Sequence, residues 1–319
     1  MTLAAYLDHL HAQGRTSTAR VVKPVLEQYE TFLANRHRTP LTATAEDLGA
    51  YRLFLASPAA AIAGTPLALS TQATRLATVK GYHRFLRRRG LVIHDATAGL
   101  VLPRLHRRTV RKSWLDQQEA QALLTTAGNL VAAEPVGSWS WAIALRDLAV
   151  VALALATGRR RSGLVGLDLC DFDATEGEIR VAWEKGRSGR VLPVAAWAVA
   201  IVTAYRDRAR PVILAGRPSE ALFVGEHSDR YAVETYAGLL HRLHAATCAA
   251  HPDLADLPAK RLTSHSLRVT FARTLFANGC GIRSINGLML HQKLSTTAAY
   301  TPIPLEELRR VLRSAHPRA

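Results

Sequence analysis

Cysteine, aromatic and acidic residues are all scarce in this chain. Its three cysteines, Cys170, Cys248 and Cys280, stand far apart and show neither metal-ligand spacing nor a disulfide framework. Aromatic residues make up 6% of the sequence, which disfavours stacking on the bases of single-stranded nucleic acid. These shortages argue against a disulfide-stapled secreted domain and against a zinc module, and they fit a reducing cytoplasm.

Long hydrophobic runs and targeting signals are missing as well. The longest apolar run, 148–156, is too short to span a bilayer and predicts a buried core helix. The N-terminus continues into a charged helix and lacks the pattern of a secretory signal. Neither a P-loop nor a carboxylate cluster is evident. We therefore expect a cytoplasmic protein with no membrane partner, no metal and no other cofactor.

Basic residues dominate the charge. The 41 lysines and arginines outnumber the 25 aspartates and glutamates, which gives a formal net charge of +16. Such an excess implies an acidic polymer or surface as partner. We expect double-stranded DNA, held through its phosphate backbone by arginine. A ribosomal or chaperone-like basic protein is the alternative that charge alone leaves open.

The length of 319 residues suggests about two domains, and the first, 1–102, has an all-helical pattern. Helical spacing predicts helices over 3–10 and 16–35. Thr44 can cap a third helix, a loop follows over 57–66, and Ser70 or Thr71 can start a fourth helix. Gly90 ends that helix at a position suited to left-handed geometry.

Basic residues cluster at the end of the fourth helix and in a predicted linker, 103–114. The residues that we expect to contact DNA there are Arg84, Arg87, Arg88, Arg104, Arg107, Arg108 and Lys112. Cations at a helix C-terminus also stabilise the helix dipole, and an exposed basic linker is often only solvated. Both alternatives stay open at this point.

The second predicted domain, 115–319, is mainly helical with one small antiparallel sheet. Asp116 and Glu119 resemble a capping box that starts its first helix. Alternation around Ile179 and Val181, followed by a turn at 187–189 and a return strand over 191–194, predicts a hairpin. The fold class that we expect is therefore mainly α.

Six residues of this second half supply the parts of a phosphate-transfer site. Arginine binds two phosphate oxygens with its planar fork, histidine and lysine can donate hydrogen bonds or protons, and a tyrosine hydroxyl can attack phosphorus. The six are Arg160, Lys185, His265, Arg268, His291 and Tyr300. Their order and spacing resemble the tyrosine site-specific recombinases, the phage integrase family, in its Xer-like or transposon-type branch. The resemblance is carried by Thr-Gly-x-Arg at 157–160, His-x-Leu-Arg at 265–268, and a tyrosine nine residues after His291.

The resemblance implies a role for each residue and for the whole chain. Arg160 and Arg268 would clamp the scissile phosphate with His265 and His291, Lys185 would protonate the leaving hydroxyl, and Tyr300 would become a 3′-phosphotyrosine without metal or nucleotide. It also implies a SAM-like core-binding domain before a catalytic domain, and action on the nucleoid. A homo- or hetero-tetramer would assemble on DNA, with a C-terminal helix over 304–315 docking in a neighbour or packing on its own domain.

Three positions depart from the family pattern. Gly163 stands where the family usually has an acidic residue, Val269 where it often has a second histidine, and Leu290 where it typically has glycine. Two other functions stay open from the sequence. One is a type IB topoisomerase, which uses similar chemistry, and the other is a DNA-binding protein with a decayed active site.

Overall fold

The computed structural model describes residues 2–60, 64–103, 114–181 and 189–290. The chain divides into two compact units, Met1–Thr109 and Val110–Ala319. The linker over 103–114 stays a prediction, because most of that segment lies outside the described residues.

The first unit consists of helices packed around one apolar core. They are α1 (Thr2–Ala12), α2 (Thr16–Ala34), α3 (Ala45–Ala56) and α4 (Leu69–Arg88), with a short 3₁₀ turn at Pro58–Ala60. The core contains Leu26, Tyr29, Leu76 and Tyr82, all with 0% exposure. Buried side chains recur every three or four residues along α2 and α4, so the predicted helical periodicity is confirmed.

Local capping rules fix the ends of these helices. Thr44 caps α3 by accepting from the Asp47 amide, and the Asp47 carboxylate accepts from the Thr44 amide in return. Gly90 follows α4 with a φ of +68°, in the left-handed region where glycine is favoured. The fourth helix begins at Leu69, slightly before the predicted start, and its cap residue, Ala68, offers no side-chain bond. Both the Thr44 cap and the Gly90 stop are confirmed.

The second unit is mainly helical with a small sheet, as predicted. Its described helices are α5 (Gln117–Ala132), α6 (Trp139–Thr157), α7 (Arg161–Val165), α8 (Ala196–Ala204), α9 (Arg210–Leu214), α10 (Val233–Ala250), α11 (Ser264–Ala277) and α12 (Ile282–Leu288). The strands β1 (Phe172–Asp173), β2 (Glu178–Val181) and β3 (Arg190–Pro193) pair antiparallel in that order. Sequence reasoning missed β1, because two residues are too few to show alternation.

Helix α6 forms the centre of this unit and contacts α5, α8 and α11. The apolar run at 148–156, by itself too short to span a bilayer, is only part of this helix. The whole helix has 19 residues and is long and apolar enough for that, but 67% of its most apolar window is buried inside the protein. The predicted core helix is confirmed by the burial of Ala149 through Leu153, each 0% exposed.

Candidate active site

Arg160 stands where the chain leaves the core helix α6. Gly158 ends α6 with a φ of +58°. A Cβ there would lie 2.4 Å from Cδ1 of Phe271 on α11, so only glycine lets the two helices meet this closely. Arg160 follows in extended conformation as the N-cap of α7, with its side chain exposed. The end of α6 therefore presents this guanidinium at the surface, beside α11.

Helix α11 carries His265 and Arg268 one turn apart. Thr263 caps it: its hydroxyl accepts from the Ser266 amide at 3.2 Å, and the Ser266 hydroxyl accepts from the Thr263 amide at 3.0 Å. The capping residue is therefore Thr263, and Ser264 is the first residue of the helix. Spacing of three places His265 and Arg268 on one face of the helix.

The Arg268 side chain is 3% exposed and locked by backbone carbonyls. Its Nη1 donates to the Gly158 oxygen at 2.5 Å, and its Nη2 donates to the Met289 oxygen at 2.7 Å. One buried guanidinium thus joins the start of α11 to the end of α6 and to the residue after α12. Hydrogen bonds to a charged donor are strong, so this cation is fixed before any ligand arrives.

Arg160 and Arg268 both act electrostatically on His265. The pKa of His265 is lowered from its ordinary value, first by partial burial and then by the positive charges of Arg268 and Arg160. Each cation disfavours a further proton on the imidazole. At neutral pH this histidine is therefore an uncharged hydrogen-bonding group beside two cations. That arrangement suits an anion with several oxygens.

The residue before His291 has a backbone conformation that glycine favours. Leu290 has a φ of +53°, in the left-handed region that costs a non-glycine residue about 1–2 kcal/mol. Its side chain is half-buried and packs against the main core of the unit, which offsets part of that strain. Leu290 therefore adopts a left-handed conformation at the position where the family typically has glycine.

The two other departures also have structural counterparts. A Cβ at Gly163 would meet Nη2 of Arg159 at 2.5 Å, so the space beside Gly163 is filled by a guanidinium. Val269, where the family often has a second histidine, is 6% exposed. Neither change disturbs the two hydrogen bonds of Arg268.

Several predicted residues lie outside the described part of the chain. They are Lys185, His291, Tyr300, Arg104, Arg107, Arg108 and Lys112, together with the segment 304–315. Lys185 falls in the connection between two antiparallel strands, since β2 ends at Val181 and β3 begins at Arg190. The three basic residues predicted on α4, Arg84, Arg87 and Arg88, are exposed in the first unit. Their contact with DNA stays a prediction.

A basic cleft borders this site and was not anticipated from the sequence. It has a volume of about 620 Å³ and lies between α10 and the loop that leads into α11. Its lining includes the basic residues Arg161, Lys260 and Arg261, together with His241. The sequence feature that could have indicated this cleft is the adjacent basic pair Lys260-Arg261, five and four residues before His265. Within the described ranges, no group of three or more His, Cys, Asp or Glu side chains could hold a metal ion.

Comparison with known proteins matches most of the chain. Residues 113–305 match the Phage integrase family. The chain is 33% identical over 319 residues to "Tyrosine recombinase XerC" of Rhodospirillum centenum, which covers 98% of this chain and 85% of that protein. It is 32% identical over 257 residues to the XerC protein of Pelotomaculum thermopropionicum, which covers 79% of this chain and 77% of the relative.

Solved structures share the fold at lower identity. A lambda integrase dimer bound to a COC′ core site has a TM-score of 0.66 at 15% identity, covering 94% of both chains. The Tn1549 transposon integrase in complex with a circular intermediate DNA has a TM-score of 0.65 at 14% identity, covering 98% of both. The family match and the XerC relatives show that this chain belongs to the phage integrase family and is a tyrosine recombinase, an enzyme of site-specific recombination.

Proposed function

We propose that this recombinase cleaves duplex DNA by attack of Tyr300 on a phosphodiester and rejoins it by the reverse reaction. The observation that carries the proposal is the convergence of Arg160, His265 and Arg268. Arg268 bonds the Gly158 carbonyl 110 positions away in the chain, which brings the Thr-Gly-x-Arg and His-x-Leu-Arg segments to one place. The first step forms a 3′-phosphotyrosine and releases a 5′ hydroxyl. A 5′ hydroxyl from a partner strand then attacks the phosphotyrosine and regenerates Tyr300.

The two arginines supply positive charge where the reaction develops negative charge. In-line attack on a phosphodiester places extra charge on the non-bridging oxygens. The buried Arg268 is already held by two carbonyls, so little reorganisation is needed when the transition state forms. The exposed Arg160 can close on a phosphate from the solvent side. His265, neutral at pH 7, can donate one hydrogen bond to the same group.

The assignment of Tyr300 as the nucleophile is supported by the environments of the other tyrosines. The chain has eight tyrosines, and the seven in the described ranges all have raised pKa values because burial disfavours the phenolate. Burial raises the pKa of Tyr51 and of Tyr205 to about 12. Those seven side chains are core groups or, for Tyr6, half-buried. Tyr300 is the remaining tyrosine; it lies outside the described residues, and the sequence pattern assigns it as the nucleophile.

Lys185 and His291 complete the proposed site. Lys185, on the β2–β3 connection, would protonate the leaving 5′ oxygen, and His291, next to the Leu290 turn, would donate to the phosphate. The cations provide the charge stabilisation for which other phosphoryl-transfer enzymes use Mg²⁺. The reaction is therefore proposed to need neither metal nor nucleotide.

Duplex DNA and further copies of this chain are the proposed partners. Lambda integrase has been solved as a dimer bound to a core site and as a tetramer bound to a Holliday junction. A net charge of +16 favours binding to DNA. We expect the protein to act on the nucleoid in the cytoplasm, where such DNA is found.

The C-terminal segment 304–315 is proposed to join neighbouring protomers. Its apolar residues Leu305, Leu308, Val311 and Leu312 repeat at helical spacing. In the second unit a largely apolar groove of about 610 Å³ runs between α5, α6, α8 and α11. Trp197 at this groove is 44% exposed although it is large and apolar. An amphipathic helix from the adjacent protomer fits such a groove.

Covalent trapping tests the proposed chemistry. Wild type and Tyr300→Phe are incubated with nicked duplexes of randomised core sequence in excess EDTA, and adducts are resolved on a denaturing gel. Loss of the short fragment beyond the nick makes cleavage irreversible, so wild type should accumulate an adduct and the Phe variant none. Sequencing the trapped DNA then gives the target site. An adduct of equal yield in the Phe variant, or no adduct at all in wild type, contradicts the proposal.

A further inference from the structure

The first described residues after the linker segment are attached to the helix that carries His265 and Arg268. Trp114 is the last residue of the predicted linker, and its ring centroid lies 4.0 Å from Cζ of Arg273 on α11. The next amide, Leu115 N–H, donates to the Thr270 hydroxyl on α11 at 2.9 Å, and both residues are 2% exposed. Two successive residues thus hold the same helix.

A third contact continues this attachment to the start of α11. Glu119, 2% exposed, accepts from Lys260 Nζ with both carboxylate oxygens at 2.5 Å. Arg261 follows Lys260 directly, and its carbonyl accepts from the Ser266 hydroxyl at 3.0 Å. The same Glu119 carboxylate accepts from the Asp116 amide at 2.7 Å and so forms part of the α5 cap. Residues 114–119 are termed here the linker strap. They contact α11 near its middle, and they contact the segment that leads into its N-terminus.

The strap and the active site use different faces of α11. Successive helical residues are rotated by about 100°. Thr270 and Arg273, which the strap holds, therefore fall on one side, and His265 and Arg268 fall about 140° away. A displacement of the strap would move α11 as one element, because α11 is a continuous helix of 14 residues. The strap can act on the phosphate-binding residues without touching the phosphate.

We infer that the linker strap is a positioning device: it transmits the placement of the linker to α11 and so sets His265 and Arg268 against Arg160. The inference rests on the proposed cleavage chemistry and adds the residues that control its geometry. Trp114 and Arg273 are positioning residues, since they act through α11. Their contact is half-buried, and burial lowers the pKa of Arg273 from its ordinary value, as expected for a cation held away from water.

Trp114→Leu tests the inference on the full-length protein, with Trp114→Phe and Trp139→Leu as controls. Phenylalanine keeps an aromatic face for Arg273, while Trp139, 41% exposed at the start of α6, is a tryptophan outside the strap. Single-turnover cleavage of the trapped target sequence should fall about three- to tenfold in Trp114→Leu, the range of a partly buried cation–π contact. DNA affinity should stay at the wild-type value, the variant should remain fully folded at the assay temperature, and both controls should cleave normally.

A second measurement reports on the position of α11 relative to Arg160 and does not depend on DNA cleavage. The His265 pKa, followed by NMR titration of the imidazole, should rise in Trp114→Leu as α11 moves away from Arg160, and it should stay unchanged in both controls. Wild-type cleavage and an unchanged His265 pKa in Trp114→Leu overturn the inference. So does a cleavage loss that parallels lost DNA affinity or a loss of folded protein at the assay temperature, because the contact is then only structural. Absence of any adduct in wild type instead refutes the proposed chemistry, and the NMR titration still decides on the strap.

Discussion

Alanine substitutions of Arg160 and Arg268 should give two different phenotypes, although both side chains are assigned to the same phosphate. Arg268 is 3% exposed and donates to the Gly158 and Met289 carbonyls. Arg160 is exposed at the N-terminus of α7. Arg268→Ala removes the partner of two buried carbonyls, whereas Arg160→Ala leaves the packing of the unit intact.

The structure sets the size of the difference. Each buried carbonyl that loses its donor costs about 1–3 kcal/mol, so Arg268→Ala should lower the free energy of unfolding by about 2–6 kcal/mol. For a domain of this size that corresponds to a drop in melting temperature of roughly 5–20 °C. Arg160→Ala should stay within about 0.5 kcal/mol of wild type, as for most surface changes. Both variants should lose about 10²–10³-fold in cleavage rate, the usual effect of one preorganised donor.

Calorimetry and single-turnover cleavage, done at a temperature where Arg268→Ala is still folded, separate the two effects. Arg161→Ala is the matched control, since it removes the neighbouring exposed cation and should change neither stability nor cleavage strongly. Arg160→Ala should also raise the His265 pKa, because one of the charges that lower it is gone. Equal melting temperatures for the two alanine variants would refute the locking role of Arg268. Equal losses in binding and cleavage would make both arginines general phosphate contacts.

Three further predictions concern the rest of the catalytic unit. Lys185→Ala should cleave normal DNA slowly but recover on a substrate with 5′-bridging sulfur, since a thiolate leaves without a proton. If the sulfur substrate gives no relative recovery, Lys185 is not the general acid. Lys260→Met should lower the free energy of unfolding by about 3–5 kcal/mol, because it leaves the buried Glu119 carboxylate unpaired, and chemical denaturation giving a loss under about 1 kcal/mol would show that the pair is not buried. Deleting the chain after Pro304 should reduce cooperative binding to paired half-sites in gel shifts more than binding to one, and unchanged cooperativity with a lower melting temperature would mean that the segment packs on its own domain.

Local features of this fold could be predicted from the sequence. The capping boxes at Thr44 and Asp116 depend on side chains three residues apart, and both are present. Gly90 and Gly158 stop helices through their own backbone freedom. Such features need no knowledge of distant residues, and the predicted mainly helical class with a small sheet follows from them.

Features that depend on distant residues could not be predicted in the same way. No local pattern indicates that Arg268 donates to Gly158 and Met289, or that Thr270 accepts from the Leu115 amide. The left-handed backbone at Leu290 could not be predicted from the sequence either, because leucine rarely adopts that conformation. The sequence pattern named Arg160, His265 and Arg268 as members of one site, and the structure adds why they lie together.

The central claim is that Tyr300 forms the covalent bond to DNA, and mass spectrometry of the trapped adduct tests it most directly. After nuclease and trypsin digestion, the peptide from Leu294 to Arg309, which contains Tyr300, should carry the mass of the residual nucleotide. Fragment ions should place that mass on the tyrosine through its 3′ phosphate. Residual nucleotide on any other residue, or an unmodified Leu294–Arg309 peptide in a sample that contains the adduct, would contradict the account.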